Sequence, residues 1–504
     1  MVQSILINGE FVLPQSELIR DIHNPATLDP LGQIADCQQA EVDAAVAAAK
    51  AAQHDWWKTP EANKAHYLAA VASRVESMSK DLAILLAKET GKPLIEAKDC
   101  IEWVAACFRY YGEVIRVSKG VVFPPVAPHQ INFTIREPFG VVACIAPFNF
   151  PLLLSAWKIA PAIACGNTVV VKPPHQNPLS SLLLAEVFAE ELPPGVVNLI
   201  TGDGSTGDLL VRHPDVDMIA FTGSTPVGRK IAAAAGEQLK KINLELGGID
   251  PLIVFDDADL DVAVRGAAWA RLLNAGQVCT SSKRIYVVES LMPEFTRRLV
   301  DHVASVKVGD PMDTNTDMGP VITAEALEMI ESQVERLVAE GAELLAGGKR
   351  FSPDGLKGHF MQPTILANVK HGGLATTEEV FGPVINLISA RDNDHAIEMA
   401  NDSKYGLGAV IYTNRLDVAM KAMENIKAGT FWINDPLTDN EAAPFGGMRA
   451  SGIGRELGAE GLECFREPKH VHLDYVMERK DYWFPYADRP VDWGQADDVP
   501  AHGA

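Results

Sequence analysis

Three side chains have the types and settings that covalent chemistry on a carbonyl group requires, and the first is a cysteine. Cys279 lies in the almost uncharged stretch Asn274–Thr280, between a predicted helix from Asp259 to about Leu273 and the strand-like run Arg284–Val288. A thiolate held between two rigid elements is well placed to act as a nucleophile. A lone cysteine is more often a small buried hydrophobic residue, so the prediction for Cys279 depends on other residues.

A carboxylate and an amide are the other two groups. Glu245 ends a strand-like run and precedes two glycines, and Asn149 lies in the segment Pro147-Phe148-Asn149-Phe150-Pro151. A carboxylate can activate water, and an amide N–H can stabilise an oxyanion. Taken alone, Glu245 would be a solvated turn residue and Asn149 a loop cap. Together with the thiol, they indicate a catalytic site.

The elements that must position these groups alternate between strands and helices from Gly140 onward. Continuous β-branched runs separated by amphipathic helices indicate a parallel sheet covered on both faces, a pattern typical of nucleotide binding. The predicted strands are Val141–Ala146, Thr168–Lys172, Val196–Ile200, Met218–Phe221 and Ile242–Leu246, and the predicted helices are about 151–165, 179–191, 205–212 and 225–236.

The turns of this block lack the usual dinucleotide fingerprint, because no Gly-x-Gly-x-x-Gly follows its first strand. Gly223 and Gly228 instead flank the start of the helix after Phe221, with Ser224 predicted at its N-cap. Helix amides and the helix dipole favour a phosphate at such a position. A plain strand–helix turn is the commoner explanation of the same pattern, and both interpretations stay open.

A helical region precedes this block, and a second α/β block begins near Gly247. The predicted helices are Glu41–Ala52, Glu61–Ser77, a third from an N-cap at Ser79 to Gly91, and Leu94–Tyr111. The predicted later strands are Ile285–Val288, Leu387–Ala390, Ala409–Thr413, Gly429–Ile433 and Lys469–Val476. Lys119–Phe123 and Ile131–Arg136 form a predicted two-stranded arm. We expect it to dock on another domain or subunit, because such a ribbon is barely stable alone.

The composition favours a soluble protein of two or three domains with a small-molecule partner. The chain has 504 residues, of which 47% are hydrophobic. Its net charge of −22 argues against a nucleic-acid or anionic-membrane partner. Seven cysteines without close pairs fit neither a disulfide framework nor a zinc site, so we expect no metal and a reducing, cytoplasmic location. The N-terminus does not resemble a signal peptide, and no apolar run is long enough for a membrane span.

Seven short motifs, in one order over about 310 positions, resemble those of the aldehyde dehydrogenase superfamily. Any one of them could arise by chance, but the ordered set could not plausibly do so, and the resemblance covers nearly the whole chain. The motifs are Pro147–Pro151, Lys172-Pro173-Pro174, Phe221–Thr225, Leu244–Gly248, Gly276–Thr280, Glu378–Pro383, and Pro444–Gly447 leading to Ser451–Glu456.

The resemblance implies an α/β fold with a Rossmann-like cofactor domain, a second α/β catalytic domain and a small β oligomerisation arm. The implied boundaries are 1–118 with 138–244 for the cofactor domain, 245–446 for the catalytic domain, and 119–137 with 467–504 for the bridging arm and C-terminal tail. The family forms dimers or dimers of dimers, so a homodimer or homotetramer is expected.

The resemblance also assigns the chemistry of aldehyde oxidation. Cys279 would form a thiohemiacetal whose oxyanion is held by Asn149 and by the backbone N–H of Cys279. After hydride transfer, Glu245 would activate the water that hydrolyses the thioester. Lys158 and Glu456 match positions that relay the proton away. Members that pass the acyl group to coenzyme A generally lack this glutamate, so its presence favours release of a free acid.

The implied cofactor is NAD, and one departure from the family pattern concerns it. Lys172 and Glu379 resemble residues that contact the two riboses, Phe381 would pack beside the nicotinamide, and Gly204, Gly207 and Ser224 would line the pyrophosphate. NAD-preferring members commonly carry a glutamate where this chain has His175, so NADP use stays open. The other implied cofactor-binding residues are Ile145, Ala146, Pro147, Phe148, Pro174, Phe221, Gly223, Val227 and Leu246.

The implied aldehyde tunnel is rich in aromatic residues. Semialdehyde-oxidising members usually place an arginine where this chain has Trp157, so a carboxylated substrate is disfavoured. The aromatic lining suits an apolar or aromatic aldehyde, or a cationic one, and Glu102 beside Trp103 supports the cationic alternative. The implied substrate-binding residues are Trp103, Phe150, Trp157, Val278, Thr280 and Phe445.

Rival interpretations belong to other functional classes. A semialdehyde dehydrogenase or a CoA-acylating dehydrogenase would share the fold but differ at Trp157 or Glu245. A non-catalytic structural relative would normally have lost Cys279, Glu245 or Asn149, and all three are present. A cysteine hydrolase needs a histidine placed as base, and no histidine occurs in a comparable loop.

Overall fold

The structure is a computed structural model that describes residues 2–117 and 120–486. The described chain falls into two compact units, one formed by residues 2–117 and 137–467 and the other by residues 120–136 and 468–486. The larger unit holds the helical region and both α/β blocks, and the smaller one holds the predicted arm. Lys119, the predicted start of the arm, and residues 487–504 of the predicted tail lie outside the described residues.

The secondary structure of the described residues is as follows. In chain order, the strands are β1 Ile5–Ile7, β2 Glu10–Val12, β3 Ile19–His23, β4 Pro30–Ala35, β5 Val122–Phe123, β6 Gln130–Pro138, β7 Val141–Ile145, β8 Thr168–Lys172, β9 Val197–Leu199, β10 Met218–Thr222, β11 Lys241–Glu245, β12 Asp250–Val254, β13 Ser282–Val288, β14 Glu343–Ala346, β15 Thr364–Ala367, β16 Val384–Ala390, β17 Gly408–Tyr412, β18 Thr430–Ile433, β19 Gly452–Ile453 and β20 Arg466–Asp474. The helices are α1 Gln39–Lys58, α2 Glu61–Ser77, α3 Ser79–Thr90, α4 Leu94–Val114, α5 Pro151–Ala164, α6 Leu179–Glu191, α7 Gly204–Arg212, α8 Thr225–Glu237, α9 Leu260–Leu272, α10 Met292–Val303, α11 Ala324–Ala339, α12 Leu374–Thr377, α13 Asn393–Asn401, α14 Leu416–Asn425 and α15 Gly458–Glu463.

The helical region follows the predicted pattern with two differences. Helix α1 continues past the predicted end at Ala52 to Lys58, and it stops before Pro60 because a residue that precedes proline avoids the helical conformation. Ser79 is the first residue of α3 rather than its cap, since Met78 occupies the cap position. Gly91 ends α3 in the left-handed conformation, as predicted.

The first α/β block forms one sheet, which in the described chain has the strand order β19-β11-β10-β7-β8-β9-β1-β2. Strands β11, β10, β7, β8 and β9 are parallel, and the central strands are fully buried, which confirms the predicted parallel sheet. The antiparallel strands β1, β2 and β19 lie towards its edges. Because the parallel strands run the same way, their carboxyl ends, and the turns that follow them, meet at one edge of the sheet.

The second α/β block forms another sheet, with the order β14-β15-β16-β13-β12-β17-β18 in the described chain. The predicted strands at Ile285–Val288, Leu387–Ala390, Ala409–Thr413 and Gly429–Ile433 are present as β13, β16, β17 and β18. The sequence reasoning missed β12, in which Pro251 argues against a central strand. The register shifts between Asp250 and Pro251, and this irregularity accommodates the proline.

The smaller unit contains a three-stranded sheet of described residues in the order β20-β6-β5. Strand β20 begins and ends earlier than the predicted Lys469–Val476, and it supplies the partner that the arm was expected to need. The side chains of His470 and His472 both contact Oδ1 of Asn132, at 3.2 and 2.8 Å. Val122 and Val126 are exposed, which leaves apolar surface on this unit uncovered.

Candidate active site

The loop that carries Cys279 has an unusual backbone. Asn274, Ala275 and Gly276, which follow α9, have φ values of 51°, 54° and 75°. The left-handed conformation costs about 1–2 kcal/mol for a residue with a side chain, and at Gly276 an added Cβ would lie 2.2 Å from the carbonyl oxygen of Gly382. The buried Arg271 fixes the loop, because its guanidinium donates hydrogen bonds to the carbonyl of Gly276 at 3.1 Å and to Ser281 Oγ at 2.8 Å.

Asn274 joins this loop to the segment that carries Asn149. Its side-chain Nδ2 donates to the carbonyl of Asn149 at 3.1 Å and to that of Gln277 at 3.3 Å. The ammonium of the buried Lys92 donates to the same Asn149 carbonyl at 2.8 Å. The backbone of Asn149 is therefore fixed relative to the nucleophile loop, while its side-chain amide has no hydrogen-bond partner among residues 2–117 and 120–486. Asn274 and Lys92 reach the Asn149 carbonyl from segments that are distant from it in sequence. The sequence reasoning named neither as a site residue.

Cys279 lies on the wall of a cavity of about 240 Å³ within the larger unit. All of the predicted substrate-binding residues line it, and the rings of Trp157 and Phe445 are in edge contact with centroids 4.9 Å apart. Three carboxylates and a further tryptophan that the sequence reasoning missed also line it, namely Glu96, Asp99, Asp439 and Trp269.

Glu102, in contrast, does not line this cavity. It pairs with Lys98 at 2.8 Å on the exposed face of α4. Glu96, Asp99 and Trp103 follow one another at spacings of three and four residues on α4 and line the cavity, whereas the carboxylate of Glu102 turns to Lys98. The carboxylates of α4 that line the cavity are those of Glu96 and Asp99, about two turns and one turn away from Glu102.

Burial sets the protonation of the groups that face the cavity. It raises the pKa of the Cys279 thiol to about 12, an effect that the nearby Lys283 ammonium opposes. It also raises the pKa values of Glu96 and Asp439 to about 7. A thiol with a raised pKa carries its proton at neutral pH, so attack on a carbonyl requires a base.

Glu245 lies at the carboxyl end of β11, one residue from the cavity wall. A Cβ atom added to Gly446 would lie 2.6 Å from Glu245 Oε1, so the carboxylate lies close to this glycine. Gly446 has a φ of 153° and directly follows Phe445, which lines the cavity. No side chain of the described residues holds either carboxylate oxygen. Burial raises the pKa of Glu245 well above its usual range, and the neighbouring Glu456 adds to this effect.

Lys158 and Glu456 form a buried ion pair next to Glu245. The Lys158 ammonium donates to Glu456 Oε1 at 2.6 Å and to Thr222 Oγ1 at 2.5 Å. Both charged side chains are almost fully buried. Opposite charges without access to water need such close pairing, so the two predicted relay residues are together, with Thr222 as an additional member that the sequence reasoning missed.

Apart from Glu379 and Phe381, the predicted cofactor residues lie along the carboxyl edge of the first sheet, at the ends of β7, β8, β10 and β11 and in the turns and helices that follow β7 to β11. The ammonium of Lys172 donates to the carbonyls of Pro173 and Gly202, each at 2.9 Å, and burial lowers its pKa to about 8. Ser224 is the N-cap of α8, as predicted, and its side chain makes no capping bond. The first turn of α7 is instead already capped by Asp203. An anion therefore fits α8 better than the terminus at Gly204.

His175 is half-buried, and several of the charged residues around it are distant from it in sequence. Its pKa is lowered by burial and by the nearby cations Arg20 and Lys172. The Arg20 guanidinium pairs with Asp36 at 2.6 Å and approaches Asp203 at 3.7 Å. The imidazole is thus neutral at neutral pH.

Glu379 and Phe381 face the nucleophile loop from another segment. The carboxylate of Glu379 lies 3.1 Å from the ammonium of Lys283. The rings of Phe148 and Phe381 meet edge to face with centroids 5.9 Å apart. These contacts bring one predicted cofactor residue from the first α/β block beside one from the second.

Comparison with known proteins identifies the family. The model of the "Aldehyde dehydrogenase family" matches residues 11–471. The chain belongs to the aldehyde dehydrogenase family. It is 39% identical over 493 residues to "Aminoaldehyde dehydrogenase 2, peroxisomal" of Pisum sativum, which covers 96% of this chain and 97% of that one.

Solved structures of other proteins, among them an aldehyde dehydrogenase, share the fold. The NAD⁺ complex of the Bacillus cereus aldehyde dehydrogenase superposes with a TM-score of 0.92 at 38% identity, over 94% of this chain and 97% of that one. An NADP-dependent enzyme of E. coli gives a TM-score of 0.91 at 36% identity, over 94% and 98%. The predicted family, α/β fold class and aldehyde-oxidising activity are confirmed.

Within the described residues, no helix is long and apolar enough to cross a membrane. No group of three or more His, Cys, Asp or Glu side chains in that part of the chain could hold a metal ion.

Proposed function

We propose that this aldehyde dehydrogenase oxidises its substrate to a free carboxylic acid through Cys279, with NAD(P) as the hydride acceptor. The observation that carries this proposal is the clamp by Asn274, which joins the nucleophile loop to Asn149 beside a cavity closed by aromatic side chains. As the thiol loses its proton, its sulfur bonds to the carbonyl carbon of the aldehyde. The resulting oxyanion accepts hydrogen bonds from Asn149 Nδ2 and from the backbone N–H of Cys279.

Glu245 serves as the base in both half-reactions. It removes the proton of the thiol and later that of the water that attacks the thioester, whereupon the carbon–sulfur bond breaks and the acid leaves. A buried carboxylate with a raised pKa is well matched to this task near neutral pH. Lys158, Glu456 and Thr222 then pass the proton away from the site along their hydrogen bonds.

Features of the described chain fit NAD(P). The uncapped N-terminus of α8 offers backbone N–H groups to the pyrophosphate, together with Gly223, Ser224 and Val227. Lys172 would contact the adenosine ribose, Glu379 the nicotinamide ribose, and Phe381 the nicotinamide ring. When bound, the cofactor accepts the hydride that leaves the tetrahedral carbon. The remaining predicted residues at the sheet edge line the same groove.

The substrate that fits the cavity best is an aldehyde with a positively charged group. Asp99 and Asp439 bring negative charge to the cavity, and tryptophan and phenylalanine rings form its walls. Asp439 has no charged partner among the described residues, and burial raises its pKa, so a cationic group would supply the missing counter-charge. Ring faces also attract cations. The Pisum sativum relative is named an aminoaldehyde dehydrogenase.

An apolar or aromatic aldehyde is the second candidate, because the cavity wall is mainly apolar. A carboxylated semialdehyde fits less well, since Trp157 stands where an arginine would be needed and the cavity carboxylates would repel it.

A homodimer or homotetramer and a cytoplasmic location complete the proposal. The exposed apolar residues of the smaller unit, such as Val122 and Val126, support burial against a further copy of this chain. Seven unpaired thiols in the described residues support a reducing compartment.

Steady-state kinetics with both cofactors tests the function and the substrate class together. We expect reduced nicotinamide and free acid in equal amounts, without a requirement for coenzyme A. A four-carbon ω-aminoaldehyde should have a higher kcat/KM than pentanal, its uncharged analogue of similar size, and Asp439→Asn should narrow that difference. Reduction of cofactor only when coenzyme A is present would contradict the hydrolytic route. Equal kcat/KM values for the two aldehydes would leave the apolar substrate as the better assignment.

A further inference from the structure

Lys283 is a charged residue in the interior of the second α/β block. It lies in β13, where every residue is buried, and only about 1% of its side chain is exposed. A buried ammonium must satisfy its donors and its charge within the protein. Its contacts therefore show what it serves.

The contacts of Lys283 converge on the nucleophile loop. Its Nζ donates to the carbonyl of Cys279 at 2.6 Å and to that of Val278 at 2.9 Å. Its charge is balanced by Glu379, whose Oε1 lies 3.1 Å away. One ammonium thus holds the backbone of the nucleophile itself and connects it to the segment that carries Glu379.

Lys283 is also the cation that acts on the Cys279 thiol. The acidic groups that face this thiol come from three other segments: Asp250 in β12, Glu379 before Phe381, and Asp439 on the cavity wall. Each acidic group disfavours the thiolate, as burial does, and Lys283 opposes them. Lys283 is therefore the cation that favours the thiolate against these carboxylates.

We propose that Lys283 is a positioning residue for the nucleophile: it fixes the loop through the carbonyls of Val278 and Cys279 and supplies the positive charge that favours the Cys279 thiolate. This inference rests on the proposed role of Cys279. It assigns to Lys283 no contact with substrate.

Alkylation of Cys279 by iodoacetamide isolates this effect, because it needs neither aldehyde nor cofactor. The thiolate sulfur bonds to the methylene carbon of the reagent and iodide leaves, so the rate follows the thiolate fraction. The rate is measured between about pH 6 and pH 11 by mass spectrometry of the peptide that contains Cys279. Reactions at other cysteines are counted separately.

Loss of Lys283 and loss of the Glu379 charge should change the alkylation rate of Cys279 in opposite directions. Lys283→Met should slow alkylation by about tenfold or more throughout this pH range, because loss of the ammonium raises the pKa of the thiol further. Lys283→Arg, which keeps the charge, should stay within about threefold. Glu379→Gln removes the counter-charge and should accelerate alkylation at neutral pH. Lys64→Met is the matched control, because Lys64 is also buried and donates to a carbonyl, that of Trp57 at 3.3 Å, in the helical region.

Two outcomes would overturn the proposal. One is a pH profile of Lys283→Met that coincides with that of the unmodified protein. The other is an equal slowing of alkylation in Lys283→Arg, which keeps the positive charge and would therefore show a structural role alone. If Lys283→Met does not fold, Lys283→Arg and Glu379→Gln decide: unchanged alkylation in Glu379→Gln contradicts control by charge. Failure of the unmodified enzyme to oxidise any aldehyde would instead contradict the proposed function and leave the alkylation result standing.

Discussion

The nucleophile and the proposed base are held in different ways. The loop of Cys279 is fixed through its backbone by Arg271, Asn274 and Lys283, at the expense of left-handed residues. Glu245 has a strand backbone paired with β10 and β19, and no side chain of the described residues holds its carboxylate. This contrast fits their roles, because the attacking atom must be placed accurately, whereas the base must reach two proton donors at different times.

The largest effect is expected from loss of the nucleophile itself. Cys279→Ala should lower kcat for aldehyde oxidation by at least about 10⁴-fold, because no other group can form the covalent intermediate. Alanine still fits the loop, so thermal stability and cofactor binding should persist. Cys37→Ala, which removes a buried thiol near Thr201, is the control and should keep full activity. Substantial oxidation by Cys279→Ala would refute the mechanism.

Replacement of the base should separate the two half-reactions. In Glu245→Gln we expect steady turnover to fall by about 10³-fold, because water is no longer activated. A pre-steady-state burst of reduced cofactor should persist at a lower rate, because solvent can still accept the thiol proton. Rapid-mixing absorbance measures both quantities, with the exposed Glu424→Gln as control. An unchanged burst rate would restrict Glu245 to the activation of water, and complete loss of the burst would show that Glu245 alone accepts the thiol proton.

The backbone clamp should matter less than either reacting group. Asn274→Ala removes the bond to the Asn149 carbonyl, and the resulting misplacement should lower kcat by about 10²-fold. Asn368→Ala is a matched control, since Asn368 has φ 55° and donates to Glu343 at 3.0 Å in an exposed turn. Both variants should lose about 1 kcal/mol of unfolding free energy from the left-handed alanine. Equal kcat values in the two variants would show that the clamp has no catalytic role.

Strands, helices and motif residues that depend on the local sequence pattern could be predicted. The parallel strands of the first sheet and the helices between them, the strands β13, β16, β17 and β18 of the second sheet, and the cavity residues Trp103, Trp157 and Phe445 are where the pattern and the family motifs placed them. The misses are non-local. Lys283 looks like one charge in a strand, and its partner Glu379 lies in a distant motif. Glu102 and Glu96 differ only in helix phase, which decides which carboxylate faces the cavity.

The short strands were missed for a related reason. β3 and β14 alternate too little to stand out, and each is defined by its pairing partner rather than by its own residues.

The smallest effect is expected at the edge of the first sheet where the predicted cofactor residues lie. Here, as with Cys279 and Glu245, one group is fixed by a partner and the other is not. Arg20 is paired with Asp36, whereas His175 is a neutral imidazole and carries no charge that would repel a 2′-phosphate. Discrimination against NADP should therefore be modest.

His175→Glu would let a carboxylate accept hydrogen bonds from the ribose hydroxyls of NAD and repel the phosphate of NADP. The ratio of kcat/KM values should shift towards NAD by about 1.5 kcal/mol, roughly tenfold, the size of a hydrogen bond to a charged group. His175→Gln is the matched control, because it adds an amide without charge and should shift the ratio less. If the unmodified enzyme already rejects NADP by several orders of magnitude, or if His175→Glu leaves the ratio unchanged, then His175 does not face the ribose.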